Sequence, residues 1–197
     1  MEEFKNIASN GNSHNKQNRI LRAKWMDYRS PSIMMVTIVT TKRLPLLGKL
    51  QGENIILTEL GQKVAEEIKR IPTYNGAESI EIYSYVIMPD HVHILLHIHE
   101  HLPRHVGYYI RWFKKQCTNI GLALAVPSAS DHSPLFAPDY HDRILKGKNQ
   151  LSHMVRYIQD NPRRLALKRA NKDLFRIRQN QLIGTIQCTA LGHLFLT

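Results

Sequence analysis

Acidic residues are scarce in this chain. Sixteen Asp plus Glu face 27 Lys plus Arg, which leaves a formal charge of +11 and a pI near 9.8. Such an imbalance draws polyanions, and nucleic acid is the commonest of them; a merely solvated basic surface is the plainer alternative. Cysteine is nearly absent. Cys117 and Cys188 stand far apart and form no Cys-x-x-Cys pair, so a disulfide scaffold and cysteine-held zinc are excluded and a reducing cytoplasm is expected. Long apolar runs are missing too: the stretches around 33–39 and 92–98 are too short to span a bilayer, and the polar opening Met-Glu-Glu does not read as a secretory signal. No phosphate-cradling glycine-rich loop of the P-loop type is found. What remains is a chain of 197 residues with an ordinary 43% hydrophobic content, enough for one domain with a buried core.

Residues 1–30 are rich in Asn, Lys, Arg and Ser, lack apolar periodicity and read as a flexible basic arm. Within it Arg19, Arg22, Lys24 and Arg29, interleaved with Trp25 and Tyr28, suit a grip on a nucleic acid strand. A domain over 31–165 follows, then a basic and finally apolar extension over 166–197. In the domain, 33–40 is a β-rich run, 42–52 reads as a turn region, and Thr58 is placed to cap a helix that Pro72 ends. Residues 79–88 and 91–99 read as strands joined at Met88-Pro89-Asp90. Helical spacing returns over 105–120, a proline-bearing loop occupies 121–138, a short strand 140–146 and a last helix 150–161, which Pro162 is expected to end or bend. The order strand, helix, strand, strand, helix, strand, helix suits a ferredoxin-like α+β fold, an antiparallel sheet with helices on one face.

Two motifs carry chemistry. In Tyr85-Val86-Ile87-Met88-Pro89-Asp90-His91-Val92-His93, the histidines flank one residue of a strand, so they point the same way, about 6.6 Å apart along it. Two imidazoles so placed can take two corners of one metal ion. His97 and His99 share their face, and a face with four histidines is a poor core. In Met154-Val155-Arg156-Tyr157-Ile158-Gln159-Asp160-Asn161-Pro162, Tyr157 and Asn161 lie on one helix face, about 6 Å apart in rise. A tyrosine and a polar ligand brought to a two-histidine metal site are equipment for nucleophilic attack on a phosphodiester.

The Met-Pro-Asp-His-Val-His and Tyr-Ile-Gln-Asp-Asn-Pro segments, in this order and about sixty residues apart, resemble the single-tyrosine HUH transposases, and among these the REP-associated tyrosine transposases. The resemblance covers 30–170 and implies Tyr157 as nucleophile, His91, His93 and Asn161 as ligands of Mg²⁺ or Mn²⁺, and a 5′-phosphotyrosine intermediate on single-stranded or hairpin DNA. It also implies a homodimer for many relatives, and a protein found in the cytoplasm, at the nucleoid when DNA-bound. Many relatives carry Asn where Asp90 stands here, so Asp90 either adds negative charge near the metal or caps the turn. Arg156, Arg163, Arg164, Lys168 and Arg169 follow the tyrosine and suit phosphate, as do Arg111, Lys114 and Lys115, with Trp112 as a stacking platform. Competing readings are a hairpin-binding relative that no longer cuts, and a relaxase or replication initiator, for whose extra regions the chain has no room. A histidine-based RNA phosphodiesterase would need a second His-x-Thr/Ser motif, which is missing. Residues from 182 onward suggest no role.

Overall fold

The structure, a computed structural model, describes residues 26–126 and 133–171. Arg19, Arg22, Lys24, Trp25 and the chain beyond 171 lie outside them. Alternating side chains build the sheet. β1 (Ser32–Val39) sends Met34, Val36 and Ile38 to one face and Ile33, Met35 and Thr37 to the other. β4 (Ile80–Met88) and β5 (His91–Ile98) form the hairpin expected around Pro89 and Asp90, with Met88 opposite His91. β5 also pairs antiparallel with β1, and β6 (His141–Ile144) closes the other edge, giving the order β4-β5-β1-β6. Read with its two crossover helices, this is the split βαβ arrangement of a ferredoxin-like fold.

The helices α1 (Glu59–Arg70) and α2 (Val106–Ala123) cover one face. Leu60, Val64 and Ile68 of α1 and Tyr109, Ile110, Phe113 and Cys117 of α2 join Val36, Ile38, Ile94 and Leu96 in the main core. The third helix, α3 (Lys148–Ala170), departs from the expected single-face layering. It lies on the opposite face, where Met154 and Ile158 pack on Met35 and Leu95. The α+β antiparallel architecture thus stands, with a sheet covered on both sides.

Three local readings are corrected. Residues 42–52 are more than a turn: a short hairpin forms from β2 (Gly48–Gln51) and β3 (Asn54–Leu57). Pro162 does not end the last helix, which continues to Ala170 and so runs through the boundary expected at 165. Residues 26–30 are not loose: the amides of Val106 and Leu102 donate to the carbonyls of Tyr28 and Arg29, and the Tyr28 hydroxyl donates to Asp142 across 2.7 Å. Tyr28 and Arg29 therefore tie the arm's end to the domain.

Thr58 caps α1 as expected. Its Oγ accepts from the Gly61 amide at 3.1 Å and donates to the Leu46 carbonyl at 2.7 Å. Gly61 has a packing reason, since a Cβ there would strike the Leu47 carbonyl. Leu47 in turn donates its amide to the Pro89 carbonyl, and Thr40 donates both amide and hydroxyl to the Asp90 carbonyl. The β2–β3 hairpin and the end of β1 thus clamp the turn that leads into His91.

Candidate active site

The site is built where the start of β5 meets the middle of α3. Strand alternation puts His91 and His93 on the α3 side, and their rings lie 4.8 Å apart, nearly perpendicular. Each Nδ1 is engaged. His91 Nδ1 lies 2.6 Å from an Asp90 carboxylate oxygen, and His93 Nδ1 lies 2.8 Å from the hydroxyl of Thr37, its cross-strand partner in β1. A proton on Nδ1 donated to these oxygens leaves each Nε2 lone pair for a cation, the arrangement found behind metal-bound histidines. Asp90 is held from its other side by Arg43, 3.2 Å away. Burial would raise the Asp90 carboxyl, but the hydrogen bond and charge of His91, together with Arg43, hold it below its usual range. Burial pushes His93 down to about 4, and the neighbouring His91 adds to this against the opposing charge of Asp90. A neutral imidazole is the form that ligates metal.

Helix α3 brings the tyrosine. The Tyr157 ring lies 5.4 Å from that of His93, edge to face. One turn on, Asn161 is only 8% exposed, and its Nδ2 donates to the Tyr157 carbonyl across 3.5 Å, which leaves the amide oxygen for another partner. His93 is similarly enclosed at 6%. Two imidazole nitrogens and an amide oxygen form a mixed N/O set that suits Mg²⁺ or Mn²⁺. The elements that carry His91, His93, Tyr157 and Asn161 thus meet at this end of the sheet.

The basic residues divide. The Arg164 guanidinium lies 5.4 Å from the centre of the Tyr157 ring. Arg163 reaches Glu53 in the β2–β3 turn at 3.8 Å. Arg156, Lys168 and Arg169 are exposed along α3. Arg111, Lys114 and Lys115 are not brought to this site, because α2 lies behind the sheet; the Lys114 ammonium donates to the carbonyls of Ala137 and Pro138, and that of Lys115 lies 5.3 Å over the Trp112 ring. His97 and His99 face the same way as the first pair but lie at the other end of β5. Asp160 does not share the enclosure of Asn161.

Sequence reasoning missed Thr37 and Arg43. Thr37 had a signal: it is the polar member of the otherwise apolar series Ile33, Met35, Thr37, Val39. The register that pairs it with His93 on one side and with the exposed His141 on the other depends on contacts far apart in the chain.

Comparison with known proteins defines the class. Residues 53–161, more than half of the chain, match the family model for IS200-like transposases. The chain belongs to that family, and a transposase-type role follows from it. An uncharacterised protein of Haemophilus influenzae is 24% identical over 159 residues, covering 73% of this chain and 87% of that one. Among solved structures, a REP-associated tyrosine transposase bound to a REP hairpin superposes with a TM-score of 0.52 at 19% identity, covering 73% of this chain and 74% of that one. It shares the fold. A transposase structure from Deinococcus radiodurans matches at TM-score 0.45 and 19% identity over 71% of this chain and 97% of its own. Among the described residues no helix is long and apolar enough to cross a membrane.

Proposed function

We propose that this protein is a metal-dependent single-strand DNA nickase and strand transferase that uses Tyr157 as its nucleophile on hairpin-forming DNA. One observation carries the reading: the phenol of α3 lies against His93 of β5, with Asn161 buried one turn away. His91, His93 and Asn161 are the residues that would hold Mg²⁺ or Mn²⁺; the bound cation would neutralise charge on the scissile phosphate. The Tyr157 oxygen attacks phosphorus, its proton passing to solvent. The bond to the 3′ oxygen breaks, leaving a free 3′-hydroxyl and a 5′-phosphotyrosine. That covalent link conserves the energy of the phosphodiester, and a hydroxyl can later displace the tyrosine and rejoin the strand. Arg164, beside the Tyr157 ring, offers charge to the phosphate as negative charge builds. The solved relative was bound to a REP hairpin, and the +11 charge of this chain suits the same class of partner.

The test is a labelled hairpin oligonucleotide incubated with the protein and Mn²⁺, then run on a denaturing gel. A protein–DNA conjugate is expected, and Tyr157→Phe should lower its yield on the order of a thousandfold or more. Conjugate formed equally by the phenylalanine variant would refute the mechanism. Hairpin binding with no conjugate at all would instead favour a binding protein of the same fold.

A further inference from the structure

Glu81, His97 and His99 form a second cluster on the α3 side of the sheet, at the end of β5 away from His91 and His93. Glu81 on β4 is the direct cross-strand partner of His97, and His99 follows just past the end of β5, where its ring reaches the same carboxylate. Their candidate ligand atoms all lie within 4.8 Å of one another. The Glu81 carboxylate oxygen is 2.8 Å from His99 Nε2 and 3.6 Å from His97 Nδ1. The two imidazoles lie 3.9 Å apart at 45°. Donor atoms around a tetrahedral cation with bonds of about 2.1 Å stand about 3.4 Å from one another, so these separations already bracket what such an ion needs. An ion pair would occupy Glu81 with one imidazole; here two converge on the same oxygen.

We propose that Glu81, His97 and His99 bind a divalent cation of the zinc class, at a site separate from the one beside Tyr157. Two imidazoles favour Zn²⁺, Co²⁺ or Ni²⁺ over Mg²⁺, and a carboxylate oxygen is a regular third ligand of zinc. The side chains are 51%, 32% and 49% exposed, so water can complete the coordination. His93 and His97 are four positions apart, about 13 Å along the strand, too far for one ion to serve both pairs. A cation here would clip the β4 edge to β5 just before the register shift between Ile82 and Ser84. The proposal stands apart from the strand-cleavage reading and does not need it.

The test is isothermal titration of tag-free, full-length protein with ZnCl₂. The His97→Ala/His99→Ala variant should take up one equivalent fewer than the parent chain, and Glu81→Gln should weaken that equivalent at least tenfold. Titration with MgCl₂ should not distinguish the proteins. Because these side chains are largely exposed, their removal opens no core, and a circular dichroism spectrum matching the parent's will accompany each measurement. Equal zinc stoichiometry and affinity in the parent and the His97→Ala/His99→Ala variant would overturn the site. So would loss of the equivalent on changing His91 and His93 with His97 and His99 left in place.

Discussion

At the scale of single residues, the proposed metal site rests on the side chains behind His91 and His93 as well as on the histidines themselves. Asp90 touches His91 Nδ1 and is itself gripped by Arg43, while Thr37 stands behind His93. Such partners fix ring orientation and tautomer, and losing one typically weakens metal affinity or activity about 10–100-fold. Asp90→Ala should therefore lower Mn²⁺ affinity in that range, measured by titration, and Asp90→Asn should keep much of it because an amide oxygen still accepts from Nδ1. A flat response across both variants would show that the contact is ornamental. The sequence had marked Asp90 as a departure from its relatives without assigning it a partner. Whether it capped the turn or served the metal depended on where the His91 ring turned, which no spacing rule reports. Arg43 was less legible still, since it reaches Asp90 from backbone at φ 54, a conformation unusual outside glycine.

At the scale of elements, periodicity found every main strand and helix, and it failed where a local signal was ambiguous. The stretch holding β2 reads as a turn because Pro45 and two glycines surround it, yet pairing with Asn54–Leu57 makes it a strand. Its close approach to α1 predicts that Gly61→Ala forces the Leu47 carbonyl to move, destabilising the fold by about 1–3 kcal/mol in chemical denaturation. Pro162 looks like a stop, but α3 runs through it, at the cost of a backbone donor. Pro162→Ala should restore that donor and raise stability by about 1 kcal/mol or more, a rise in Tm of about 2–4 °C for each kcal/mol. An unchanged or lowered Tm would mean that the ring's packing outweighs the missing bond. The basic residues of α2 were grouped with those of α3 because charge alone does not say which face of a sheet a helix covers.

At the scale of the whole molecule, α1 and α2 seal one side of the sheet, and α3, which carries part of the candidate site, covers the other. The excess of positive charge belongs to the entire chain, so hairpin binding should weaken steeply with salt. Each phosphate neutralised adds about 0.7–0.9 to the slope of log affinity against log salt, and replacing Arg164 with Ala should reduce that slope by about one contact. A slope that does not change would remove Arg164 from the phosphate track. The ferredoxin-like layout was readable from the order of elements, and two short motifs named the four residues of the candidate site. The second covered face was not, because α1, α2 and α3 show the same kind of amphipathic stripe. That face is fastened chiefly through Met35, Leu95, Met154 and Ile158. Tyr157 and Asn161 both ride on α3, so in the proposed mechanism one lever carries attacker and third donor alike. If two copies exchanged the lever, each would receive both missing parts in one stroke, and mixing a Tyr157→Phe protein with a His91→Ala/His93→Ala protein would regenerate a competent centre from two dead ones.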